Sequence, residues 1–222
     1  MKTIKDELME IYNTMLVKEG HRKWWPGDTP LEISIGAILT QFVSWGNVET
    51  AIEELKNNDL LDLREISKVD TGKLERFILS TRFYKQKARK LKGFANYIIN
   101  NYSGSLSEFF KLDIKTLRNE LLHIWGIGEE TADSIILYAA NKPVFVVDEY
   151  TKRIFNRMDY IDRNESYSSI QNFFHRNLDK DTKLFNDYHA QIVNLGNNYC
   201  KKRKPKCDSC PLGELCMINE IA

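Results

Sequence analysis

The sequence predicts an all-α protein. Apolar residues recur at three- and four-residue spacing along almost the whole chain, and turn signals interrupt them roughly every 10 to 18 residues. No stretch alternates convincingly with period two. Val144–Val147 comes nearest and is short. One helix start is unambiguous: Thr29-Pro30-Leu31-Glu32 combines a capping hydroxyl, proline in the first helical position and a capping-box glutamate.

The N-terminal MKTIKDELMEIYNTML mixes charges with apolar residues at helical spacing. It lacks the unbroken apolar core of a signal peptide. The segment ISIGAILTQ after Thr29 reads as a buried helix. Further helices are expected near 47–58, 71–80, 84–101, 105–111, 113–124, 129–140, 148–157, 165–177 and 182–199. Asn141-Lys142-Pro143 breaks a strong helical run and is the expected hinge. At 222 residues, 42% hydrophobic and 28% charged, the chain has the composition of a globular protein with one large domain or two small ones. No apolar run approaches 18 residues, so no membrane span is expected, and a cytoplasmic address follows.

A net charge of +1 does not announce a nucleic-acid ligand, but the charges are segregated. Residues 82–92 carry six positive charges and no negative one, and 201–206 carry five more, whereas acidic residues gather around 49–64. Such a pattern can build a basic face on a near-neutral protein. The second basic run is Lys201, Lys202, Arg203, Lys204 and Lys206, interrupted by Pro205. It lies inside the cysteine spacing C-x6-C-x2-C-x5-C formed by Cys200, Cys207, Cys210 and Cys216, the four cysteines of the chain. A loop that short keeps its shape only if the cysteines are tied together, so they read as ligands of a metal or a cluster. The spacing alone leaves zinc and iron–sulfur both open.

Asp113 is placed to cap the helix that ends at His123. Gly126-Ile127-Gly128 then turns the chain into a second helix. Glycines at such a turn leave backbone N–H groups bare at a helix N-terminus, where a phosphate oxygen can bind, and Ile127 is expected to anchor the turn inward. Val146-Val147-Asp148 follows, with Asp148 opening another helix.

Taken in order, LLHIWGIGEETADSIILYA, VVDEYTKRI and the four cysteines resemble the helix-hairpin-helix DNA glycosylase superfamily, in particular its endonuclease III-like branch with a [4Fe-4S] cluster. The resemblance runs from about residue 20 to Cys216. It implies two helical domains flanking a DNA-binding cleft: a six-helix domain over 28–140 ending in the hairpin, and a discontinuous domain of 1–27 and 141–222 carrying the cluster loop at 200–216. Asp148 would face the hairpin as the essential carboxylate, stabilising the charge that grows on a sugar losing its base. The base must first be flipped out of duplex DNA.

Bifunctional relatives carry G-x-G-[RK]-K-T-A, whose lysine forms a Schiff base. Here the string is Gly126-Ile127-Gly128-Glu129-Glu130-Thr131-Ala132, so Glu130 stands where that lysine would be. The resemblance therefore implies a monofunctional enzyme that uses water. His21 to Pro30, with Ser44-Trp45 and Asn47-Val48-Glu49, is similar to the 3-methyladenine glycosylase group. This implies a base pocket of Trp25, Pro26, Trp45, Phe42 and Glu130, with indole rings suited to a cationic alkylated purine. Gln41 matches the residue that fills the space left by the flipped base, and Phe83 the wedge in the opposite strand. His123 and His189 read as packing or capping residues. Expected partners are duplex DNA with a damaged base and no membrane, with a monomeric protein. Two other readings stay open: a glycosylase/lyase for oxidised pyrimidines, and a non-enzymatic iron–sulfur DNA-binding or redox protein in which Asp148 is only a cap.

Overall fold

The computed structural model describes residues 2–22 and 24–216. Helices make up its regular structure, and the described residues contain no strand. None of the described helices is long and apolar enough to cross a membrane. The chain divides into two compact units, one of Met1–Trp25 with Pro143–Ala222 and one of Pro26–Lys142.

The continuous unit is built around α2 (Pro30–Leu39). The hydroxyl cap and the proline act as expected: Thr29 Oγ1 accepts from the Glu32 N–H at 3.1 Å and Pro30 fills the first turn, but the capping box does not close, because the Glu32 carboxylate accepts from the Asp28 N–H at 3.1 Å instead of that of Thr29. Ile35, Ile38 and Leu39 have no solvent exposure. Full burial of such side chains contributes roughly 1.5–3 kcal/mol each. Around α2 pack α3 (Trp45–Asn57), α6 (Tyr84–Tyr102) and α9 (Glu129–Ser134), which continues as a π-turn over Ile135–Ala139. The long α6 buries Ala88, Leu91, Phe94, Ala95 and Ile98 on one stripe. It ends where Ser103 and Gly104 turn left-handed. Against it lie α4 (Leu63–Lys68), α5 (Thr71–Phe77) and the single-turn α7 (Leu106–Phe109), and α8 (Ile114–His123) leads into the hairpin. The unit thus holds eight α-helices among its described residues, where the resemblance implies six and periodicity marks seven. Periodicity does not reveal α4 because one turn and a half, set in an acidic stretch, shows too few apolar repeats. Its start signal is nonetheless present: Asp62 accepts from the N–H groups of Arg64 and Glu65.

In the discontinuous unit, α1 (Ile4–Glu19) opens with a full capping box between Thr3 and Asp6. Its stripe of Leu8, Ile11, Tyr12 and Met15 packs on α11 (Tyr167–Asn177) and α12 (Thr182–Asn198), and α10 (Glu149–Arg157) packs on α12. The core is aromatic. Phe145 stacks on Phe174 with centroids 3.9 Å apart and planes 8° apart, and Phe185, Tyr188 and Phe155 meet them edge-on or tilted.

Val144–Val147 is buried, lies outside any helix and pairs with no strand. Buried backbone needs partners, and here side chains of α11 supply them. The Phe145 N–H donates to His175 Nε2 at 2.9 Å, Gln171 Nε2 donates to the Phe145 carbonyl at 2.8 Å, and the Val147 N–H donates to Tyr167 Oη at 3.3 Å. This scaffold fixes the chain just before Asp148.

Candidate active site

Asp148 caps α10. Its Oδ1 accepts from the Thr151 N–H at 2.7 Å and from Thr151 Oγ1 at 2.8 Å. Its Oδ2 lies 3.5 Å from Nε2 of His189, which reaches in from α12. The carboxylate is recessed, with 10% of its side-chain surface exposed. Burial pushes its pKa up, but His189, by hydrogen bonding and charge, and the Thr151 N–H and hydroxyl pull harder, so the carboxyl is held below its usual range. The capping role and a fixed anion are therefore the same arrangement. His189, expected to pack or cap, stands beside the second oxygen of Asp148. Its position in a helix gives no sign of that partner 41 residues away.

That proximity depends on a close approach of α10 and α12. Gly196 of α12 sits against the Tyr150 ring, so near that a Cβ there would fall 2.2 Å from Cδ1. Tyr150 Oη donates to Asn197 Oδ1 at 2.5 Å, and Arg153 donates to the Gly196 and Cys200 carbonyls at 3.3 and 2.8 Å.

Beyond α12, Cys200, Cys207, Cys210 and Cys216 line one small cavity with Arg157, Tyr199 and Lys206. Arg157 Nη1 donates to Cys200 Sγ at 3.1 Å and to the Lys201 carbonyl at 3.0 Å. Among the described residues, no group of His, Cys, Asp and Glu side chains converges as the ligands of a single ion would. The residues from Lys201 to Lys206 are all exposed, and their backbone is tied inward by Arg157 and by the Lys206 N–H to the Tyr199 carbonyl at 2.9 Å. Their charges therefore face solvent. Trp25 is half-buried, with its ring 5.5 Å from that of Trp24.

In the other unit the hairpin joins α8 to α9. Arg118 of α8 pairs with the fully buried Asp133 of α9 at 2.8 Å and reaches Glu129 at 3.2 Å, stapling the two helices. Ile127 is 5% exposed and anchors the turn as expected. The two glycines differ. Gly126 has φ +85° and packs against the Lys90 stem, whereas Gly128 is extended in open space and caps α9. Glu130 is exposed in the first turn of α9. Trp125, half-exposed at the hairpin, carries the Arg89 guanidinium over its ring at 3.9 Å. Pro26 is exposed, and half-buried Trp45 opens α3 with its indole N–H on Glu49 at 2.6 Å.

Gln41 is held from several sides. Its Nε2 donates to Thr131 Oγ1 at 2.9 Å and to the Gly126 carbonyl at 3.3 Å, and its Oε1 accepts from Lys90 Nζ. Phe42, expected in the base pocket, is 84% exposed in a left-handed turn. It lines a cavity of about 360 Å³ with Gln41, Arg82, Phe83 and Lys90. The basic run 82–92 is not wholly a surface face. Lys87 is 2% exposed, and its ammonium donates to the carbonyls of Leu39, at 2.8 Å, and Thr81. Burial, with help from the Lys90 charge, lowers its pKa to about 8. The helical register carries a sign of this, since Lys87 falls on the stripe of Ala88, Leu91 and Phe94.

The profile of the HhH-GPD superfamily of base excision DNA repair proteins matches residues 35–180. A protein of Methanocaldococcus jannaschii named as a DNA repair glycosylase is 46% identical over 220 residues, covering 98% of this chain and 99% of its own. The fold is similar to that of endonuclease III in a non-covalent DNA complex, with a TM-score of 0.84 at 22% identity, covering 100% of this chain and 98% of that one. It is also similar to Helicobacter pylori 3-methyladenine DNA glycosylase bound to 1,N6-ethenoadenine, with a TM-score of 0.73 at 29% identity, covering 85% and 96%. The chain belongs to the HhH-GPD superfamily, as an endonuclease III-like member.

Proposed function

We propose that this DNA repair glycosylase hydrolyses the N-glycosidic bond of an alkylated purine such as 3-methyladenine in duplex DNA, without lysine-dependent strand cleavage. The observation that carries this reading is Asp148, held ionised by Thr151 and His189 in a recess. As the bond breaks, positive charge develops on the sugar, and a fixed carboxylate stabilises it. The same carboxylate can orient a water and accept its proton. Glu130 stands where lyase relatives place an amine, and a carboxylate forms no imine.

Trp25, Pro26 and Trp45, with Glu130, are the residues we assign to the base pocket. Electron-rich indoles favour a cationic purine, whose glycosidic bond is already weakened. The hairpin Gly126-Ile127-Gly128, with Phe83, and the exposed Lys201, Lys202, Arg203, Lys204 and Lys206 are assigned to the DNA backbone and base stack. Cys200, Cys207, Cys210 and Cys216 would hold a [4Fe-4S] cluster. Four thiols around one cavity, with a guanidinium N–H on one sulfur, suit an anionic thiolate cluster. Held there, the cluster would clamp the basic loop. The protein would act as a monomer on the DNA of the cytoplasmic nucleoid.

The test is base release from duplexes carrying alkylated purines, uracil or thymine mismatches, oxidised pyrimidines or 8-oxoguanine. Release of the alkylated purine is expected, with no borohydride-trapped adduct, and Asp148→Asn should abolish release while sparing binding. Undiminished release by that variant, or covalent trapping of the wild type, would overturn the reading.

A further inference from the structure

We propose that Phe42, rather than Gln41, fills the space vacated by a flipped base, forming with Phe83 a two-pronged aromatic wedge; this rests on the base-flipping reading given above. The polar atoms of Gln41 are already engaged within the protein, its amide nitrogen on the Thr131 hydroxyl and Gly126 carbonyl and its oxygen on Lys90. To enter a base stack it would have to abandon all three partners. Phe42, one residue on, is 84% exposed, and Phe83 is 51% exposed.

Both rings are displayed by unusual backbone. Phe42 has φ +58° in the turn closed by the Val43 N–H on the Thr40 carbonyl, where glycine or asparagine is the ordinary choice. Arg82 and Phe83 have φ of +51° and +52°. Bulky residues hold such a conformation only where their surroundings impose it. Lys87 supplies that constraint. Its buried ammonium bridges the Leu39 carbonyl, at the end of α2 before the Phe42 turn, to the Thr81 carbonyl before the Phe83 turn. One side chain thus sets the separation of the two tips.

The occupant is indicated by charge. The cavity rimmed by both rings is also lined by Arg82 and Lys90 and by no acidic residue. Apolar tips beside cations on a shared rim suit bases flanked by phosphates. Aromatic–base contacts are tolerant of sequence, as a gap-filling contact must be.

The test uses full-length protein and a duplex with a tetrahydrofuran abasic site next to 2-aminopurine. Wild-type protein should raise the 2-aminopurine fluorescence as the neighbouring step unstacks. Phe42→Ala should lose most of that rise and bind roughly tenfold more weakly, with an unchanged melting temperature because the ring is exposed. A wild-type fluorescence rise and affinity in Phe42→Ala would overturn the proposal. Base release by the wild type, measured in parallel, separates the two readings. Release that is absent while abasic binding still depends on Phe42 sinks the glycosylase reading alone. Release that is present with Phe42→Ala indistinguishable from wild type sinks the wedge alone.

Discussion

Replacing Gly196 by alanine sets two effects of opposite sign against each other. Alanine in place of glycine inside a helix favours the folded state by about 1 kcal/mol. The new methyl, however, would stand 2.2 Å from Tyr150 Cδ1, 2.7 Å from Cγ and 2.9 Å from Cβ. Ordinary contact begins at 3.4 Å, so the ring or the helix must retreat by about 1.2 Å. Tyr150 cannot simply swing aside, because its hydroxyl is bonded to Asn197 and its ring lies under Arg153. Overpacking of this kind costs about 1–3 kcal/mol, and a clash with a tethered ring belongs at or beyond the upper end. The net effect is a loss of about 2 kcal/mol, or about 4–8 °C in melting temperature for a chain of this size. Because α10 carries Asp148 and α12 carries His189, their 3.5 Å approach should lengthen, and base release should fall by more than tenfold. Thermal denaturation and single-turnover base release check both parts. A variant that melts at or above the wild-type temperature and releases base at the wild-type rate would refute the steric argument and leave only helix propensity.

His189→Leu leaves burial of Asp148 less opposed, so its carboxyl pKa rises and the acid limb of base release moves to higher pH. The same shift bears on stability. A carboxyl held low in the folded state stabilises above its unfolded pKa of about 3.9 and loses that contribution as pH falls through the folded value, so the variant should unfold less steeply with acid than the wild type. Neutralising Lys201, Lys202, Arg203, Lys204 and Lys206 should flatten the salt dependence of DNA binding by about 0.9 in log–log slope for each phosphate that these cations no longer neutralise. Filter binding across a salt series measures it. Cys210→Ser should remove the visible absorbance near 400 nm expected of a thiolate–iron cluster and make the 200–216 loop protease-sensitive; an unchanged spectrum and digestion pattern would show that the four thiols do not act together.

How much of this is legible in the chain depends on the range of the interaction. Local signals are readable because they act within a turn: Thr29 and Asp113 cap where expected, and Ile127 turns inward. Asp148 can be placed at a helix start for the same reason. Its ionisation cannot, because His189 comes from another helix and reaches it only when the core of that unit has formed. The run 82–92 shows its charges plainly, but only its register with Ala88, Leu91 and Phe94 hints that Lys87 is a buried crosspiece between two carbonyls. Phe42 reads as pocket only through the resemblance. Its 84% exposure goes with a left-handed backbone, a tertiary outcome.

The strandless run from Val144 to Val147 leaves the carboxylate's approach hanging from three side chains of a single helix. His175 can accept there only while its Nε2 carries no proton, so one tautomer is built into the architecture. A genetic screen for loss of repair should accordingly score hits along α11, at Tyr167, Gln171 and His175, that look like simple folding defects and are in truth errors of aim.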